Sequence, residues 1–227
     1  VFVPRFNENQ NVRVAGRYKG VVEINEKNYG FAREKDHEFS YEPQDPFLKP
    51  DEVKYHNLRP GLEIEGEYEE DEHGHRHVHS IEKINGRDPM EWQRATRFEL
   101  QTPIMPVEHI KLGVDPENVD MRVMDLVSPI GKGQRGLIVA PPRTGKTVLL
   151  KNIAESLTEN HPDICTGVLL VDERPEEVTD FLRSTDAEVF ASSNDKETAS
   201  HVRITELALG YVKRKAEMGD DAVLLID

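Results

Sequence analysis

The residues best suited to act on phosphate form one string, Ala140-Pro141-Pro142-Arg143-Thr144-Gly145-Lys146-Thr147. It lies between the apolar run Leu137-Ile138-Val139 and a helical pattern from Thr147 to Leu157. Strand, loop and helix in that order point backbone N–H groups and the positive end of the helix dipole at an anion. In such a loop Lys146 reaches the β- and γ-phosphates, the Thr147 hydroxyl ligates Mg²⁺, and Gly145 lets the backbone close on the anion. Pro142, Arg143, Thr144 and Val148 are the other candidate nucleotide contacts in the loop and first helical turn. The match to G-x-x-x-x-G-K-[ST] lacks its first glycine, which is Ala140 here, so an ordinary capped helix turn is the alternative.

Two carboxylates accompany the loop. Asp227 follows Leu224-Leu225-Ile226, and an apolar run ending in Asp downstream of a phosphate loop is the pattern of a carboxylate that holds Mg²⁺ through water. Otherwise Asp227 simply caps what comes next. Asp172-Glu173-Arg174 closes the apolar run that starts at Gly167, and open parallel sheets bind ligands at the carboxyl ends of their strands. There Glu173 can orient and deprotonate an attacking water, with Arg174 near the nucleotide and keeping Glu173 ionised. The plainer alternative is a surface ion pair at a strand end.

A different chemistry is possible at Tyr29-Gly30-Phe31. Alternate residues of a strand face one side, so the two rings form either one stacking surface or part of a core, and the spacing alone leaves both open. Arg33 continues on that face. The string His73-Gly74-His75-Arg76-His77-Val78-His79 puts four histidines on odd positions. As one strand they would share a face able to bind a transition metal; a hairpin turn at Gly74 breaks that face.

The elements that must position these residues fall into two patterns. From Val14 to about Ile84 the chain reads as short strands: Val14 to Asn25, Gly30 to Arg33, Leu62 to Tyr68 with alternating acidic residues, and His77 to Ile84. Pro43, Pro46 and Pro50 break the loop between them. Five or so short strands with Gly turns predict a small barrel of the oligonucleotide-binding type over 13–85. Residues 1–12 are a polar linker or tail. Residues 86–120, with Pro89, Pro103, Pro106 and Pro116, are a connector holding a short helix near Glu91 to Arg97. Over 121–227 strands alternate with helices: a buried strand Leu137 to Val139, helix Thr147 to Leu157, strand Gly167 to Asp172, helix Glu176 to Ser184, strand Glu188 to Ala191, helix Thr198 to Met218, and strand Ala222 to Asp227. That alternation predicts a parallel sheet with helices on both faces. The fold class is mixed: a small β-barrel, then an α/β domain.

Composition bounds the function. The 227 residues carry a net charge of −14, mean hydropathy is −0.63, and no apolar run approaches the roughly 18 residues that span a bilayer, which excludes a membrane protein. The single Cys165 excludes a disulfide framework and fits a reducing cytoplasm. Acidity argues weakly against nucleic acid. Residues 1–100 hold 15 basic and 21 acidic side chains, and every charged residue from Glu63 to Glu72 is acidic, so a positive groove elsewhere on the barrel remains compatible. The start at Val1 and the apolar run before Asp227 read as cut ends, and a motor ending there is expected to be incomplete and inactive alone.

The run Val123-Met124-Asp125-Leu126-Val127-Ser128-Pro129-Ile130-Gly131-Lys132-Gly133-Gln134-Arg135-Gly136-Leu137-Ile138-Val139-Ala140-Pro141-Pro142, followed by Gly145-Lys146-Thr147, closely resembles the Rho family of bacterial transcription termination factors. Leu170-Val171-Asp172-Glu173-Arg174-Pro175-Glu176-Glu177-Val178-Thr179 does so too. The double proline and the alanine at the first glycine are how that family writes its loop. The resemblance covers about residues 14–227. It implies a cold-shock-like oligonucleotide-binding barrel followed by the first part of a RecA-type P-loop ATPase domain, in a homohexameric ring helicase that uses ATP and Mg²⁺. By the resemblance Glu173 is the catalytic base, Lys146 and Thr147 the phosphate and Mg²⁺ residues, and Asp227 the metal-associated carboxylate. Arg143 stands where the family usually has Lys, keeping the charge but changing its shape. On the barrel, Tyr29 and Phe31 become a stacking platform for pyrimidine-rich single-stranded RNA, with Phe47 a further aromatic and Arg33 and Arg76 as RNA contacts. The resemblance implies a cytoplasmic factor that loads on nascent RNA and acts on the RNA polymerase elongation complex. The competing class is a non-catalytic RNA-binding module with a vestigial nucleotide site; Lys146, Thr147, Glu173 and Asp227, all present, argue against it.

Overall fold

The computed structural model describes residues 14–35, 39–141 and 143–227; the expected tail at 1–12 and Pro142 lie outside them. The barrel is built from β1 (Val14–Ile24), β2 (Gly30–Arg33), β3 (Phe47–Leu48), β4 (Glu63–Glu70) and β5 (Arg76–Ile84). They close in the order β1-β2-β3-β5-β4, antiparallel except where β3 runs parallel to β5. Bulges in β1 and along β4–β5 add the local bend that closing a small sheet requires. One face of each strand supplies the barrel core: Tyr18 and Val22, Ala32, Leu48, Ile64, Val78 and Ile84. Trp92 plugs one end, fully buried, its indole N–H donating to the Asn57 carbonyl at 3.0 Å.

One helix here went unread in the sequence and another lies slightly earlier than expected. The proline-broken loop contains α1 (Pro50–Tyr55), started by Pro50 in the first helical turn, where a missing N–H costs nothing. The connector contains α2 (Pro89–Arg94), rather than a helix to Arg97, capped by Asp88 accepting from the Met90 N–H. It continues through the pair β6 (His109–Ile110) and β7 (Ile130–Gly131), with α3 (Val119–Val127) between them. Asn118 caps α3, and Asp125 on it accepts from the Leu112 and Gly113 N–H groups, tying the connector down.

The second half has α4 (Lys146–Asn160), β8 (Cys165–Glu173), α5 (Pro175–Ser184), β9 (Glu188–Ser193), α6 (Thr198–Glu217) and β10 (Ala222–Ile226). The strands form a parallel sheet ordered β10-β8-β9. Alternation along β8 sends Val168 and Leu170 to the α4–α5 face and Leu169 to the α6 face, as a doubly covered strand requires. The expected strand at Leu137 to Val139 is not one: among the described residues the run pairs with no strand, Leu137 is 87% and Val139 83% exposed, and only Ile138 reaches the cores on either side of α4.

The two halves share one core. Val21 and Phe39 of the barrel side pack with Leu169, Phe190, Ile204, Leu207, Ala208 and Tyr211, and the Phe39 and Phe190 rings stack at 4.4 Å. Backbones touch at Gly61 and Gly210, where a Cβ on Gly61 would lie 2.1 Å from the Gly210 carbonyl carbon. Around this seam Glu217 is fully buried and accepts from Arg59, Arg214 and the Phe98 N–H, Lys215 pairs with Glu63, and Arg87 binds Asp220 and the Met218 carbonyl. Among the described residues no helix is long and apolar enough to cross a membrane.

Candidate nucleotide site and nucleic-acid interface

The phosphate loop opens a cleft of about 660 Å³ lined by Ala140, Pro141, Arg143, Gly145, Lys146, Thr147 and Val148. Gly145 caps α4 with φ +93°, a conformation glycine adopts without cost. A Cβ there would meet nothing within 4 Å among the described residues, so the conformation, rather than crowding by the protein, selects glycine. Arg143 holds φ +63°, a strained geometry of the kind that clusters at binding loops. The Thr144 hydroxyl donates to the Pro141 carbonyl at 2.7 Å and braces the loop.

Lys146 and Thr147, at the first turn of α4, both meet Asp227 just beyond β10. The Thr147 hydroxyl donates to one carboxylate oxygen at 2.9 Å and the Lys146 ammonium pairs with the other. The Asp227 side chain is almost fully buried, held by β10's place beside β8, where the Asp227 N–H donates to the Leu169 carbonyl. The bond to Asp227 raises the Lys146 pKa and keeps it an ammonium. Two residues 80 apart in sequence thus set a hydroxyl and a carboxylate side by side. Both are hard oxygen donors, the set Mg²⁺ prefers.

Glu173 ends β8, where the ladder to β9 slips between Val171 and Glu173 and Asp172 takes φ +62°. This bulge re-aims the strand end. Burial first, then the nearby Glu177 and Asp227 carboxylates, raises the Glu173 pKa, and Lys146 opposes the shift. Sequence reasoning placed Arg174 as the group that keeps Glu173 ionised. Arg174 is the exposed residue just before α5, and Lys146 is a cation that opposes the rise of the Glu173 pKa. Glu177, one turn into α5, went unread. Its i+4 spacing from Glu173 was the available signal.

On the barrel, Tyr29, Phe31 and Phe47 come together half-buried, with ring centroids 5.5 to 6.1 Å apart. Tyr41, not singled out from sequence, extends the set 6.4 Å from Phe31 and is 65% exposed, and His77 adds an edge against Phe47. Arg33 is brought to this cluster but lies beneath it. Its guanidinium is buried 4.8 Å from the Phe31 centroid and 5.0 Å from that of Tyr41, bonded to Glu23 at 2.5 Å and Asp45 at 2.6 Å. Arg76 lies over Tyr68 at 4.7 Å and within 4 Å of Glu34 and Glu70. The histidine string forms a hairpin: Gly74 has φ +79°, and Asp71 accepts from the His73 and His75 N–H groups. Those bonds hold the Asp71 carboxyl far below its ordinary pKa. No group of three or more metal-ligating side chains occurs among the described residues.

Fold and site together define a class: an aromatic-faced barrel joined to a phosphate-loop nucleotide-binding domain. Residues 18–90 match the Rho termination factor RNA-binding domain, and residues 120–227 match the nucleotide-binding domain of the ATP synthase alpha/beta family. The chain is 40% identical over 214 residues to the transcription termination factor Rho of Chromobacterium violaceum, covering 92% of this chain and 51% of that protein. It is 42% identical over 213 residues to that of Cereibacter sphaeroides (92% and 50%) and 41% identical over 215 residues to that of Aquifex aeolicus (92% and 49%). The chain spans about half the length of the curated relatives it matches. Over that span it belongs to the Rho family.

Proposed function

We propose that this chain provides RNA loading and nucleotide binding in an ATP-dependent RNA translocase that terminates transcription. The observation that carries the reading is one chain in which a barrel bearing an aromatic platform shares a core with the half that bears the Lys146–Thr147–Asp227 cradle. Single-stranded, pyrimidine-rich nascent RNA stacks on Tyr29, Phe31 and Phe47, each base contributing about 1–3 kcal/mol. Duplex RNA, whose bases are not splayed, is refused. Because Arg33 and Arg76 are engaged with carboxylates, few phosphates are neutralised and affinity falls only shallowly with salt.

ATP lies over the α4 N-terminus, with Arg143, Thr144, Gly145 and Val148 forming the cradle and Arg174 at its edge. Lys146 exchanges the Asp227 carboxylate for the β- and γ-phosphates. Thr147 and Asp227 would hold Mg²⁺, which neutralises phosphate charge when bound. Glu173 accepts the proton of the attacking water, a role suited by a pKa raised toward the working pH. The whole protein works as a cytoplasmic homohexamer that pulls RNA until the polymerase elongation complex is dislodged; the relatives' name and their doubled length support this.

The test separates the two sites. Lys146→Ala in the full-length protein should abolish ATP-driven transcript release and leave RNA binding nearly intact, since Lys146 lies on α4 and the stacking rings lie on the barrel. Loss of both activities in a folded variant would sink the two-site model.

A further inference from the structure

We propose that Arg203, on α6 of the nucleotide-binding half, is a positioning residue for RNA on the barrel, an inference that rests on the RNA-binding reading above. Arg33 props the platform from below, against Phe31 and Tyr41. Its Nε donates to Glu23 Oε2 at 2.5 Å, and that same oxygen accepts from Arg203 Nη1 at 2.9 Å. The second Arg203 nitrogen, Nη2, donates at 2.9 Å to the carbonyl of Phe39, whose ring stacks on Phe190 of β9 and whose φ is +56°. Arg203 therefore grips the barrel at two points, the carboxylate that orients Arg33 and a strained backbone turn.

The charges show why this grip matters to a ligand above. Arg33 lies against the rings, and ion pairs link it to the carboxylates Glu23 and Asp45, and through Glu23 to the guanidinium of Arg203. The four balance. Without Arg203 the set carries a net negative charge and adjoins, through Arg33, a surface that receives a polyanion, and Glu23 is left free to rotate away from Arg33. Both effects weaken RNA binding through a residue that touches no RNA. The physical link is a shared oxygen atom, so the contributions of Arg203 and Glu23 must be non-additive.

The experiment is a fluorescence anisotropy titration of this chain with C-rich single-stranded RNA, with thermal melting of each variant alongside. Arg203→Ala should weaken RNA binding roughly ten-fold, within the range by which substitutions along a connected network act on a distant site. Arg203→Lys, which restores the charge and one bond to Glu23, should recover most of that loss. Glu23→Gln added to Arg203→Ala removes the uncompensated negative charge, so the double variant should bind more tightly than Arg203→Ala alone. If Arg203→Ala fails to fold, Arg203→Gln takes its place in the comparison, and Arg203→Gln binding like the parent would overturn the proposal. So would Arg203→Ala binding like the parent with only its melting temperature lowered, or a double variant that binds no more tightly than Arg203→Ala alone. A parent chain that ignores the RNA would overturn the RNA-binding reading itself, and this inference with it.

Discussion

Replacing Glu217 by Ala should destabilise the barrel, although Glu217 lies on α6 of the other half. Its side chain is fully buried and accepts from both terminal nitrogens of Arg59, from Arg214 at 3.0 Å and from the Phe98 N–H at 2.7 Å. Removing it leaves two guanidinium groups facing each other in a largely closed space, where burial and Arg59 already lower the Arg214 pKa. Breaking a buried ion pair in this way costs about 3–5 kcal/mol. With a urea dependence of about 3 kcal/mol per molar, the midpoint should fall by roughly 1 to 1.7 M. The reporter is built in. Trp92 is the single tryptophan, buried in the barrel with the Arg59 guanidinium 4.4 Å above its ring. Its fluorescence follows the barrel, while circular dichroism follows the helices of the other half. Both should shift together in Glu217→Ala, and less in Glu217→Gln, which keeps one acceptor oxygen. A Trp92 transition that stays put while the helical signal moves would show that the halves unfold separately and that the seam does not bind them.

Three further outcomes follow from the sites. In the full-length protein, Glu173→Gln should leave ATP affinity within a few-fold and cut turnover by about 10²–10⁴, the usual cost of losing a general base; unchanged turnover in a steady-state assay would assign the proton to another carboxylate. Because Glu177 helps to raise the Glu173 pKa, Glu177→Gln should lower it. The acid limb of the rate–pH profile, where turnover is lost as pH falls through the pKa of the base, should move to lower pH; a limb that stays or moves up would contradict the assignment. Replacing Tyr29 and Phe31 together by Ala should cost roughly 2–6 kcal/mol of RNA binding if the stacking contributions add, and anisotropy that shows a steep salt slope with no effect of the double change would place the RNA elsewhere.

Most of the architecture was legible because it rests on local patterns. Alternation in Leu62 to Tyr68 gave β4, and the apolar runs of the second half gave β8, β9 and β10. Residues joined by spacing within one loop, such as Lys146 and Thr147, were also readable. What escaped depends on contacts across the chain. Leu137 to Val139 looks like a core strand by composition, yet only Ile138 finds apolar partners. The connector's order comes from Asp125 satisfying distant N–H groups, which no periodicity reports. Arg33 has the right register to face a ligand, but Glu23 and Asp45 draw it beneath the rings. Arg174 adjoins Glu173 in sequence and is exposed, whereas the influence of Glu177, four residues further on and one turn into α5, was not read from the sequence.

The central proposal, that this chain provides RNA loading and nucleotide binding in an ATP-dependent RNA translocase, is tested most directly by ATP hydrolysis in the full-length protein. The rate is measured with C-rich single-stranded RNA, with DNA of the same sequence, and with no nucleic acid. The account predicts hydrolysis that depends on the RNA and is lost in Lys146→Ala. Hydrolysis at one rate in all three conditions would contradict it.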